Sequence, residues 1–288
     1  MESLRTALKR VMLRVDRRLG TSLQRSVEVG RGAAAAVAPD KPSAAWIVAA
    51  SVLLALPWWR WALRIRVRGP QGPTWFTVPD WAAMRVFEEV FVEAEYAAPV
   101  ALQPRRIVDL GSNIGVSILF FALRHPGVPI TGVEASPTVF KRLQRNVGSF
   151  PGVTLRFGAV TAHPGPVVFH EGGASWSGST RLSEHTGGGE QVEVPGFPLD
   201  EVLAAGDVDI LKVDIEGGEF DVLPASERIR DVALVMGEIH ATPGTPEADQ
   251  VLAVFKDFDV RSTQFDPTWQ WEHFTIFSAV KPRASVPS

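Results

Sequence analysis

A chain of 288 residues has room for one large α/β domain with an N-terminal extension, and 45% apolar with 21% charged residues excludes wholesale disorder. The absence of cysteine excludes disulfides, thiolate metal sites and a cysteine nucleophile. The net charge of −3 conceals an asymmetry: residues 1–68 carry 13 Lys/Arg against 4 Asp/Glu, and the remainder 16 against 28. No basic stripe interleaved with aromatics runs into the acidic body, which argues against a nucleic-acid partner.

From Leu4 through Leu8, Met12, Val15 and Leu19 the apolar residues recur at helical spacing, with Lys9, Arg10, Arg14, Arg17 and Arg18 between them. The pattern predicts a basic amphipathic helix, suited equally to a membrane surface or to packing on its own domain. Gly30 to Ser43, with an alanine run, Pro39 and Pro42, reads as a linker. The apolar run 44–59 would reach only about 24 Å as a helix, short of the roughly 30 Å hydrocarbon core. Trp58, Trp59 and Trp61 with Arg60, Arg64, Arg66 and Arg68 resemble an interfacial anchor, so peripheral membrane contact through residues 1–62 stands beside burial against the domain.

Leu63 to Arg68 and Trp75 to Val78 alternate as strands and predict a hairpin. Asp80 is the N-cap of a helix running to about Tyr96, which makes 63–100 a lead-in to a core over 101–288. From Arg106 onward strands alternate with helices, the mark of an α/β fold with a mostly parallel sheet. Strands are expected at 107–110, 130–134, 154–159, 209–213, 232–239, 260–264 and 275–280. A glycine-rich excursion, 172–189, is flanked by strand-like 167–170 and 191–194.

The strand at 107–110 runs into Gly111-Ser112-Asn113-Ile114-Gly115 and then an apolar helix. Two glycines four apart let backbone approach a ligand and start the helix tightly against the strand. A dinucleotide would require a middle glycine for its pyrophosphate, and Ser112-Asn113 stands there instead. Asp109 would repel a pyrophosphate but suits the cationic end of S-adenosylmethionine, directly or through water. Glu134, at the end of the next strand, is placed to accept the ribose hydroxyls of either cofactor class.

Lys212, Asp214 and Glu216 alternate at the carboxyl end of the fourth strand, where doubly wound sheets bind ligands. Glu238 and His240 share one face at the end of the fifth. The set of Asp109-x-Gly111-x-Asn113-x-Gly115, Glu134, Lys212-x-Asp214-x-Glu216-Gly217-x-Glu219 and Glu238-x-His240 resembles the FkbM-type S-adenosylmethionine-dependent O-methyltransferases over about residues 63–280. That resemblance implies a Rossmann-like class I methyltransferase with a seven-stranded sheet whose last strand is antiparallel. It also implies methylation of a hydroxyl on a small natural product or a sugar.

Methyl transfer needs alignment of the acceptor oxygen and removal of its proton. Asp214 is the first candidate base and His240 the second, with Lys212 supplying a cation or pairing structurally with Asp214. Glu216, Glu238 and a lid residue, Trp176, are expected on the acceptor side. A metal held by Asp214, Glu216 and Glu238 is disfavoured, because Gly217-Gly218 turns the chain before Glu216 regains the strand face. The competing readings are a nicotinamide-dependent oxidoreductase and a membrane-attached nucleoside-binding module without catalysis. The body reads as cytoplasmic, with the arm leaving membrane association open.

Overall fold

The computed structural model describes residues 23–171, 190–242, 244–264 and 275–282. The expected helix near 4–19 and the glycine-rich segment with Trp176 lie outside them. The chain divides into two compact units, one of residues 1–68 and 72–93, the other of 69–71 and 94–288.

In the first unit, α1 is helical over 23–37 and α2 spans Lys41–Leu54. The linker expected over 30–43 is therefore corrected to two helices joined through 38–40. The small residues mark close helix packing: a Cβ on Gly30 would lie 2.8 Å from the Val48 Cα, and Ala33, Ala34 and Val37 are buried. Asp40 accepts a hydrogen bond from the Ser43 N–H at 2.8 Å and so fixes the start of α2. The helix stops short of Pro57 and, among the described residues, no helix is long and apolar enough to cross a membrane. The predicted hairpin follows as β1 (Leu63–Gly69) and β2 (Gly72–Val78), which buries Ile65, Val67, Phe76 and Val78. Asp80 caps α3 (Trp81–Phe91) through the Ala83 N–H, as expected. The helix ends sooner than predicted, because Glu93 still bonds back to Glu88 but Ala94 turns left-handed at φ 58°.

The second unit carries a seven-stranded sheet. Its strands are β3 (Ile107–Leu110), β4 (Ile130–Glu134), β5 (Val153–Phe157), β9 (Ile210–Val213), β10 (Leu234–Ile239), β11 (Asp259–Gln264) and β12 (Thr275–Val280). The order across the sheet is β11-β12-β10-β9-β3-β4-β5, with β12 antiparallel to both neighbours. β3 and β9 are buried on both faces, which explains their unbroken apolar character apart from Asp109 and Lys212. The helices α4 (Val116–Arg124), α5 (Pro137–Val147), α7 (Glu219–Ala225) and α8 (Pro246–Leu252) connect them. Val108, Leu110, Leu211, Val213 and Val235 share one core with Val222, Val251 and Phe255.

The chain leaves β3 toward β4 and β5, then crosses back to lay β9 against the other side of β3. The reversal opens a crevice at the carboxyl ends of β3 and β9. The single strand expected over 154–159 breaks at Gly158, φ +134°, where a Cβ would lie 2.5 Å from the Pro195 carbonyl oxygen. Beyond the break, β6 (Ala159–Thr161) joins β7 (Gly165–His170) and β8 (Gln191–Pro198) in a separate three-stranded sheet.

Candidate active site

Gly111, Asn113 and Gly115 all take left-handed backbone, with φ of 71°, 48° and 96°. Gly111 is required by space as well as by conformation, since a Cβ there would lie 1.7 Å from the Asp214 carbonyl oxygen. The loop after β3 is thereby pressed onto the residue after β9. Gly115 sits against α5, where a Cβ would lie 2.9 Å from Val147. The N–H groups of Gly111 and Ser112 both donate to the Val133 carbonyl, at 3.0 and 2.9 Å, which ties the loop to β4 as well.

Glu134 ends β4 beside this loop. One carboxylate oxygen accepts from the Asn113 N–H at 2.9 Å and the other from the Ser136 N–H at 2.8 Å. Burial raises its pKa to about 7 despite those two bonds and the positive charge of Lys212. The Asn113 Oδ1 is buried with no hydrogen-bond partner among the described residues. The loop thus offers an unused acceptor beside a buried carboxylate. Acceptors of this kind fit the ammonium group and the ribose hydroxyls of S-adenosylmethionine.

Asp109 lies within the sheet, fully buried, and in parallel register with Lys212 of β9. One of its oxygens accepts from the Ser117 hydroxyl at 2.6 Å, and the other faces the Lys212 Nζ at 3.2 Å as a charge contact. Lys212 is 2% exposed and donates to the carbonyls of Gly111 (2.7 Å) and Leu110 (3.2 Å). Its Nζ is also 3.4 Å from the Asp214 carboxylate and 5.3 Å from the Tyr96 ring centre. Burial disfavours its charge, but Asp109 and Asp214 outweigh burial and hold it above the usual lysine range. Asp109 therefore acts on the loop through Lys212 and Ser117, and Lys212 joins both carboxylates with the loop carbonyls.

On the other side of Asp214 is an acidic group around His240. Glu216, three residues past the end of the strand, takes a left-handed φ of 51°, and its carboxylate lies 3.2 Å from the His240 Nε2. Glu219, fully buried at the start of α7, accepts from the main-chain N–H groups of Gly217 (2.9 Å) and His240 (2.6 Å), and lies 3.1 Å from the His240 Nδ1. Burial opposes an imidazolium, yet Glu216 and Glu219 prevail and lift His240 well above 6.5. Its two ring nitrogens thus stand between two carboxylates, an arrangement that favours the protonated ring. Glu219 answers with a pKa below the usual range: burial works against it, and the His240 charge and hydrogen bonds reverse the effect.

Glu238 is pushed well above the ordinary carboxylate range by burial, then by the charges of Asp214 and Glu95. Ligand atoms of Asp214, Glu238 and His240 lie within 4.8 Å of one another. This differs from the set weighed from sequence, with His240 in place of Glu216.

The structure thus brings together Asp109, Gly111, Asn113, Gly115, Glu134, Lys212, Asp214, Glu216, Glu238 and His240, whereas Trp176 is outside the described residues. Sequence reasoning missed Ser117, Glu95 and Tyr96. Ser117 is the one hydroxyl in the apolar helix Val116–Arg124, and Tyr96 is the only tyrosine of the chain, so both left a faint signal. Glu95 left none.

Residues 109–262 match the model of a family described as "Methyltransferase FkbM domain". The chain is 27% identical over 220 residues to the "31-O-demethyl-FK506 methyltransferase FkbM" of Streptomyces tacrolimicus, covering 62% of this chain and 82% of that protein. It is 23% identical over 242 residues to "Methyltransferase sdnD" of Sordaria araneosa, covering 72% and 93%. Among solved structures, it is similar to a putative O-methyltransferase from Klebsiella pneumoniae at 16% identity and a TM-score of 0.39, covering 62% of this chain and 74% of the other.

Proposed function

The chain belongs to the FkbM methyltransferase family, and from that premise we propose that it methylates an oxygen of a small natural product or a sugar, with Asp214 taking the acceptor's proton. It is an S-adenosylmethionine-dependent methyltransferase. That membership leaves the nicotinamide and non-catalytic readings without support.

When bound, the cofactor supplies a methyl group on a positively charged sulfur. Gly111 and Gly115 let the loop pack tightly against Asp214 and α5, Asn113 and Glu134 offer acceptors to the polar groups of the cofactor, and Asp109 holds the loop through Lys212. The observation that carries the reaction is the position of Asp214. Its carbonyl oxygen would lie 1.7 Å from a Cβ at Gly111, so the residue is next to the cofactor loop, while its carboxylate is 24% exposed. Proton removal from an alcohol by a carboxylate is uphill, so it accompanies methyl transfer. Glu216 and Glu238 face the acceptor, with the raised pKa of Glu238 favouring its use as a hydrogen-bond donor.

Incubation with methyl-labelled S-adenosylmethionine and a panel of alcohols, phenols, sugars and amines tests the reading. Label recovered as a methyl ether is expected, and label found only on nitrogen or carbon would overturn the oxygen assignment. Gly111→Ala should lower the affinity for S-adenosylhomocysteine by roughly tenfold or more, equivalent to about 1.4 kcal/mol, when measured by calorimetry.

A further inference from the structure

Four indoles of the first unit are turned to solvent: Trp46 is 39% exposed, Trp58 64%, Trp61 68% and Trp75 50%. Large aromatics distributed singly require no explanation, but Trp46 and Trp75 meet the same arginine, and Trp58 and Trp61 lie in the same short stretch of chain. The Trp46 Nε1 donates to the Arg64 carbonyl at 2.7 Å, the Arg64 guanidinium lies 5.1 Å from the Trp75 ring centre, and Trp59 and Trp61 are in edge contact at 5.5 Å. The hairpin alternates strictly, with Ile65, Val67, Phe76 and Val78 inward and Arg64, Arg66, Arg68 and Trp75 outward. On α2 the exposed positions beyond the first turn are Ala45, Trp46 and Ala49, so its outer side is apolar where a solvated helix would be polar.

Charge decides what such a face can meet. From residue 41 to 79 there are five basic residues and no acidic one, and Arg60, Arg64, Arg66 and Arg68 are all exposed. Indoles prefer the depth of lipid headgroups, where the ring is in an apolar layer and the N–H is not. Guanidinium groups bind phosphates in two-point contact. No described helix crosses a bilayer, so the face would lie on one. We propose that the exposed indoles and guanidinium groups between Trp46 and Trp75 are a docking surface for the phosphate headgroups of an anionic membrane.

The full chain is mixed with vesicles of pure phosphatidylcholine and with vesicles containing phosphatidylglycerol, and flotation and tryptophan emission are read. Binding to the anionic vesicles alone, a blue shift of emission and weakening in high salt are expected. R60A/R66A should lower the partition coefficient by roughly thirtyfold. W58S/W61S should abolish most of the blue shift. All four positions are exposed, so both variants should keep their circular dichroism and their affinity for S-adenosylhomocysteine. Failure of the wild type to bind anionic vesicles, or equal partitioning of wild type and both variants, would overturn the proposal. So would self-association that removes the tryptophans from solvent without any vesicle binding.

Discussion

Asp214→Asn should lower kcat by roughly two to four orders of magnitude, the usual contribution of a positioned general base, while the affinity for S-adenosylhomocysteine changes little. The amide keeps the shape and the hydrogen-bonding capacity of the side chain but accepts no proton. Stability should hold, because Lys212 retains Asp109 at 3.2 Å. Glu238 loses one of the two carboxylates that raise its pKa, so the repulsion in the acidic group declines. Initial rates on an identified acceptor, with calorimetry on the same preparation, separate chemistry from binding. A variant retaining activity within a few-fold would remove Asp214 from its role, and the remaining acceptor-side carboxylates would have to be tested in turn.

Lys212→Met should destabilise the second unit strongly. It leaves Asp109 at 0% exposure without its cation, and deprives the Gly111 and Leu110 carbonyls of their donor. Removing one partner of a buried pair costs about 3–5 kcal/mol, which in a unit of this size lowers Tm by roughly 10 °C. The partner change Asp109→Asn in the same chain should restore part of that loss, since no bare charge then remains. Calorimetric melting of the two single variants and the double variant measures the coupling. Strict additivity of the two losses would show that Lys212 and Asp109 do not act as a pair.

Much of this site is written in local pattern. The strand-glycine-helix passage through Gly111 and Gly115 is recognisable because left-handed turns exclude side chains, and Glu134 because a carboxylate ends an otherwise apolar strand. The linker misread over 30–43 fails for the same reason in reverse. Glycine and alanine are common where chain is loose and where two helices meet closely, and only the proximity of Val48 to Gly30 distinguishes the cases. Likewise the strand expected through Gly158 is continuous in hydrophobicity, and its division between two sheets depends on Pro195, far along the chain.

Local pattern is enough to specify the parallel α/β order, the hairpin, the capped helix and the cofactor loop, since each is a periodicity or a turn requirement within a few residues. Pairing at the site is set only by the fold. Register sets Lys212 against Asp109, 103 positions away in the chain, and the start of α7 carries Glu219 beneath His240. A charge is governed by whatever lies within a few ångströms of it after folding. The sequence marks Lys212 and His240 as titratable, but not which carboxylates will hold their protons.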